Sequence, residues 1–156
     1  MAVPLVCPDT HAMRSMPVIL HNLDFFKNPP FEPTFVFDIG DVTDAKMQMT
    51  HLNKCQVYEW LPHINCNPRP IPEDEAGKIE WLKGMDVTPD TTDDELKGAP
   101  NGYLVRFAKV AMYFRERLKE RYGEENGAKV RFAEAFELSE YGAKPSKEML
   151  ETLLNF

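Results

Sequence analysis

No stretch of this sequence stays apolar over the roughly 18 residues that a bilayer-spanning helix needs, so no membrane association is expected. Cysteine is scarce: Cys7, Cys55 and Cys66 make an odd count of three, which builds no paired disulfide framework and fits a reducing compartment. Basic clusters are missing as well. The chain carries 18 Lys and Arg against 25 Asp and Glu, a net charge of −7. Neutralising a nucleic-acid backbone or an anionic membrane takes clustered Lys and Arg, so neither partner is expected. The opening Met1-Ala2-Val3-Pro4-Leu5-Val6 has no basic region and is interrupted by proline, unlike a secretory signal. The expected location is cytoplasmic. No Gly-x-Ser-x-Gly nucleophile elbow and no Gly-x-Gly-x-x-Gly or other phosphate-cradling loop occurs.

What is present reads as a folded chain. Its 156 residues suit a single domain spanning 1–156, and 43% hydrophobic with 28% charged content is ordinary for a globular protein. Twelve of the 13 prolines precede residue 101, so the first two-thirds reads as short elements joined by stiff loops. Pro17-Val18-Ile19-Leu20 and Thr34-Phe35-Val36-Phe37 are short apolar runs bounded by turn-formers, the pattern of strands buried on both faces of a parallel sheet. A helix is predicted from Asp41, with Asp41 and Asp44 at N-cap and N3 spacing and Ala45, Met49 and Leu52 as its apolar contacts. Residues 62–72 read as loop, Glu73 to Met85 as a helix resting on Ile79 and Leu82, and Thr88 to Gly98 as an acidic connector. Leu104, Phe107, Ala111, Phe114 and Leu118 advance by 3, 4, 3 and 4, predicting one long amphipathic helix near 102–122 closed by Gly123. Val130 to Phe136 is a third strand candidate, and Ser146 to Leu154 a closing helix.

Each chemical candidate has a bland counterpart. Cys55, His63 and Cys66 place two thiols and an imidazole within a dozen residues, but a structural zinc site needs four such ligands, and the fourth is missing. Cys7, Asp9 and His11 form a second loose cluster. Cys55, placed on the inner side of a helix end, reads as packing. The acidic run from Asp90 to Glu95 lacks the sixth-position Gly and twelfth-position Glu of a calcium loop, and Thr92 with Glu95 reads instead as a helix cap. His21 and Asp24 follow the Pro17–Leu20 run. Ligands of open α/β sheets bind beyond the carboxyl ends of strands, which makes these two the candidate substrate-side residues; otherwise they are surface loop.

Five stretches, in order, carry a resemblance. They are Met16-Pro17-Val18-Ile19-Leu20; Asp38-Ile39-Gly40-Asp41-Val42 with Lys46 beyond it; Asn53-Lys54-Cys55-Gln56; Tyr58-Glu59-Trp60-Leu61-Pro62; and Arg131-Phe132-Ala133-Glu134-Ala135-Phe136-Glu137. Together they resemble the later half of the PIG-L (LmbE-like) zinc de-N-acetylase family, over most of the chain from about Cys7 to Leu154. Gly40 and Cys55 stand where the family has Ser, Asn53 where it has His, and Leu153-Leu154-Asn155-Phe156 where Leu-Phe-Pro-Phe is usual. The resemblance implies a partial Rossmann-like α/β fold, a few-stranded, mainly parallel sheet with flanking helices. It also implies zinc-dependent hydrolysis of an N-acetyl group, usually on a glucosamine, by a metal-held water. The family's ligand motifs, His-Pro-Asp-Asp and His-x-Asp-His, are not in this sequence, so no catalytic or metal residue carries over and no zinc is expected on this chain alone. The expectation is a truncated or split deacetylase, inactive alone, that self-associates or pairs with a complementary N-terminal half. The alternative is a non-enzymatic α/β binding or interaction module.

Overall fold

Among the described residues, the computed structural model has three short strands and eight α-helices, with one π-helical and one 3-10 segment. It describes Asp9, His11, residues 14–24, Phe26 and residues 28–154. The Cys7 cluster and the terminal Asn155-Phe156 therefore fall outside the described residues, wholly or in part. The described chain divides into two compact units. One takes the residues up to Thr34 and those from Phe136 onward, and the other takes Phe35–Ala135.

The sheet corrects the expected architecture. Strands β1 (Leu20–Asn22), β2 (Phe35–Asp38) and β3 (Ala133–Leu138) lie in the order β1-β3-β2. β1 runs antiparallel to β3, with Leu20 opposite Leu138, His21 opposite Glu137 and Asn22 opposite Phe136. The N–H of Ile39 reaches the Phe132 carbonyl at 3.0 Å, and that of Thr34 the Phe136 carbonyl at 2.8 Å, which is again an antiparallel register. The sheet is neither mainly parallel nor Rossmann-like. Short apolar runs do not distinguish a strand covered on both faces from one covered on a single face. Here β1 has no buried residue and β2 buries only Val36, as antiparallel strands with one open face do. Neither strand is central; β3 is.

In the first unit, β1 is followed by the turn at Asp24, and the chain returns after β3 through a buried Ser139 to α8 (Lys147–Leu153). Ser146 caps α8 by accepting the Met149 N–H, at the start of the closing helix expected from the sequence.

In the second unit, α1 (Thr43–Leu52) follows a 3-10 turn at Gly40–Val42. The turn is closed by Asp38, whose Oδ1 accepts the Gly40 N–H at 2.8 Å; Asp41 caps nothing. α1 buries Thr43, Met47 and His51, one residue per turn, and leaves Met49 70% and Leu52 76% exposed. The predicted contact face is thus the outer one. Both faces carry apolar side chains, so periodicity alone could not orient the helix. After Asn53 the chain widens into the π-helix Cys55–Trp60, then tightens into α2 (Leu61–Ile64), which reaches into the expected proline loop. α3 (Glu75–Lys83) is capped by Asp74 and buries Leu82. Within the expected connector lies α4 (Asp93–Gly98), opened by the Thr92–Glu95 capping box.

The single long helix at 102–122 is two helices. α5 (Tyr103–Tyr113) and α6 (Arg115–Tyr122) part at Phe114, whose φ of −110° and ψ of 31° leave helical geometry. At the break, the Arg115 guanidinium donates to the carbonyls of Gly127, Ala128 and Val130, at and just past the end of α7 (Glu124–Lys129). Gly123, at φ 85°, ends α6 where the sequence places a cap. The core of this unit gathers Ile39, Met47, Val57, Tyr58, Leu82, Leu104 and Phe107. A side chain buried as fully as Leu82 contributes about 1.5–3 kcal/mol. Among the described residues, no helix is long and apolar enough to cross a membrane.

Candidate functional site

The sequence candidates do not assemble into one site. His21 lies on β1, half-exposed, with Nε2 3.9 Å from Glu140 Oε2. Asp24 is a turn-former, its Oδ1 accepting the Phe26 N–H at 2.8 Å. The strand-end argument that joined them belongs to parallel sheets, and this sheet is antiparallel. Cys55 is exposed at the start of the π-helix, not packed inward, and Cys66 is exposed beyond α2 at φ 48°. Among the described residues, no three His, Cys, Asp or Glu side chains gather closely enough to hold a metal ion. The zinc of the PIG-L resemblance does not fit the described residues.

A different polar cluster forms where α1, the π-helix and α3 meet. His51, 7% exposed, ends the buried stripe of α1. Its Nδ1 lies 2.9 Å from the Tyr58 hydroxyl, and its Nε2 lies 3.0 Å from Glu75 Oε2. A carboxylate only accepts, so His51 Nε2 carries a proton and donates it to Glu75. The Tyr58 hydroxyl, with one proton to donate, also lies 3.2 Å from the Lys78 carbonyl, which competes with His51 Nδ1 for it. Lys54 and Lys78 then hold the two Glu75 oxygens, Nζ to Oε2 at 2.5 Å and Nζ to Oε1 at 3.1 Å. Hydrogen bonds from Lys54 and Lys78 pull the Glu75 carboxyl down to about 2. Burial, then the negative charge of Glu75, pushes the Tyr58 phenol up to about 12. Tyr58 in turn meets the ring of Trp81 at 5.9 Å between centroids.

Beside Trp81 is a small open cavity of about 70 Å³, lined also by Val57, Leu61, Pro62, Asn65, Asn67 and Asn101. Arg69 braces one side of Trp81. Its guanidinium sits 5.0 Å above the indole and donates to the Trp81 carbonyl at 3.0 Å and the Asn101 carbonyl at 3.1 Å. Elsewhere in this unit, Lys46 Nζ pairs with Glu134 Oε1 at 2.9 Å and lies 5.5 Å from the Phe107 ring centre.

Sequence reasoning missed His51 and Glu75. The available signal was the Thr43, Met47, His51 spacing of four, which places a histidine on a helix face that α3 covers. No protein-family model, curated protein or solved structure matches this chain.

Proposed function

We propose that this chain is the later, scaffold-bearing half of a PIG-L-like de-N-acetylase, without deacetylase activity of its own. The observation that carries the reading is the Lys46–Glu134 ion pair. The two residues belong to different motifs of the resemblance, far apart in the chain, and they meet with both side chains largely covered. Two of the departures lie at undemanding positions: Gly40 sits in a turn that Asp38 closes, and Cys55 is exposed. Hydrolysis then depends on a first half bearing His-Pro-Asp-Asp and His-x-Asp-His, supplied on the same or a separate polypeptide.

A second reading, a non-enzymatic interaction module, draws on the exposed apolar side chains Val42, Met49, Leu52, Trp60 and Ile64. Co-expression separates the two. Under the first reading, the chain alone binds no stoichiometric zinc by elemental analysis and releases no acetate from N-acetylglucosamine derivatives. Co-purified with a polypeptide carrying both motifs, it yields chelator-sensitive acetate release. Chelator-sensitive turnover by the chain alone would overturn the reading. A motif-bearing half that neither binds nor gains activity would leave the interaction module.

A further inference from the structure

Only one of the two faces of α1 is used inside the chain. Thr43, Met47 and His51 turn inward. On the opposite side Val42, in the turn ahead of α1, and then Ala45, Met49 and Leu52 advance by 3, 4 and 3 residues, the spacing of one stripe along a helix. All four are exposed, Met49 and Leu52 the most. A single exposed leucine needs no explanation, but apolar side chains gathered on one helix face mark a contact surface. The charges bordering the stripe have one sign to offer. Asp41 and Asp44 stand at its N-terminal end, exposed and in no ion pair among the described residues. The cations nearby are committed within the chain: Lys46 to Glu134, Lys54 to Glu75 and Lys83 to Glu80. A partner therefore meets apolar side chains beside uncompensated negative charge. A second copy would bring the same two aspartates and a net charge of −7, so like charges oppose self-pairing of this face. An anionic lipid surface is repelled in the same way.

We infer that the outer face of α1 docks a cationic amphipathic helix of another protein. The apolar stripe of that helix lies along Val42, Ala45, Met49 and Leu52, and its Lys or Arg side chains meet Asp41 and Asp44. The unbranched side chain of Met49 adapts to the shape of what packs on it. The inference rests on the interaction-module reading and names its partner; the deacetylase reading is tested separately, by acetate release. Failure at this face leaves the interaction module to Trp60 and Ile64, which lie outside α1.

The probe is a synthetic amphipathic helix of leucine and lysine with the leucines on one face, followed by nitrogen–proton correlation spectra of the full chain. Saturable shifts are expected at residues 41–53. Two comparison peptides, one with glutamate for every lysine and one with the leucines scattered around the helix, should bind at least about tenfold more weakly. Met49→Glu with Leu52→Glu, both at exposed positions that do not threaten folding, should weaken the lysine peptide about tenfold although it adds negative charge. General attraction to an acidic chain would strengthen binding instead. Asp41→Asn with Asp44→Asn should weaken it severalfold, whereas Glu73→Gln with Asp90→Asn, which removes as much exposed charge elsewhere, should leave it unchanged. The inference is overturned if the Met49 and Leu52 substitutions leave binding unchanged or strengthen it, or if the glutamate peptide binds as tightly. It is equally overturned if the two charge-removing pairs act alike. A chain that dimerises alone by light scattering, and that Met49→Glu with Leu52→Glu returns to a monomer, would also overturn it, since a second copy is then the occupant.

Discussion

His51 shows how one residue can organise a region through its hydrogen bonds. An imidazole this deeply buried needs partners for both ring nitrogens, and Tyr58 and Glu75 supply them from two other elements. Glu75 is the exposed end of the network, and its carboxyl is lowered to about 2 by Lys54 and Lys78. A depressed carboxyl adds stability that is complete above its unfolded value near 4.5 and is lost as pH falls through about 2. The stability difference between the native chain and Glu75→Gln should therefore shrink steadily from about pH 4.5 to 2 in urea titrations. A pH-independent difference would contradict the network. Tyr58 titrates with the opposite sense. A phenol raised to about 12 stabilises the fold below its ordinary value of 10, and that contribution disappears as pH climbs from 10 through 12. Tyr58→Phe should lose about 1–2 kcal/mol at neutral pH from its missing hydroxyl bonds. The native chain should then converge on the variant between pH 10 and 12.

At the scale of elements, caps and close approaches decide where helices stop and how near they come. The Thr92–Glu95 box and the Ser146 cap are local, with donor and acceptor three residues apart, and the first was readable as sequence. The division of α5 from α6 was not, because the apolar stripe runs through Phe114 without interruption. What accompanies the break is a distant contact, Arg115 with the carbonyls at the end of α7. α7 also lies hard against α6. A Cβ built on Gly127 would stand 2.4 Å from Lys119 Cα and 2.5 Å from the Leu118 carbonyl. Those are backbone atoms that no side-chain motion relieves, so Gly127→Ala should destabilise by about 1–3 kcal/mol by forcing the helices apart. Thermal or urea unfolding checks it, and a neutral result would mean that α7 shifts freely.

For the whole molecule, the consequential feature is the sheet. β1 and β2 are its outer strands, and among the described residues no further strand pairs with either. Open strand edges favour pairing with another chain. A light-scattering mass above the 17.9 kDa of one chain is therefore expected at high concentration, unless a complementary half is bound. A monomer throughout the concentration range would remove the edges as a contact surface. The reason differs from the one the sequence suggested. Short apolar strands were expected to be buried on both faces of a parallel sheet, whereas β1 and β2 are the edges of an antiparallel one.

By itself the sequence determined what depends on neighbours along the chain: the cap at Thr92, the helix end at Gly123 and the stripe from Leu104 to Leu118. Their physical basis is a hydrogen bond or a helical repeat spanning a few residues. Only the tertiary structure decided the antiparallel pairing of β3, the inward face of α1, the break at Phe114 and the assembly of His51, Tyr58 and Glu75. Each of these turns on a partner beyond the next helical turn, from His51 and Tyr58 within one helical region to Leu20 and Leu138 near opposite ends of the chain, for which several apolar or polar surfaces compete, and local pattern holds no information on which of them wins.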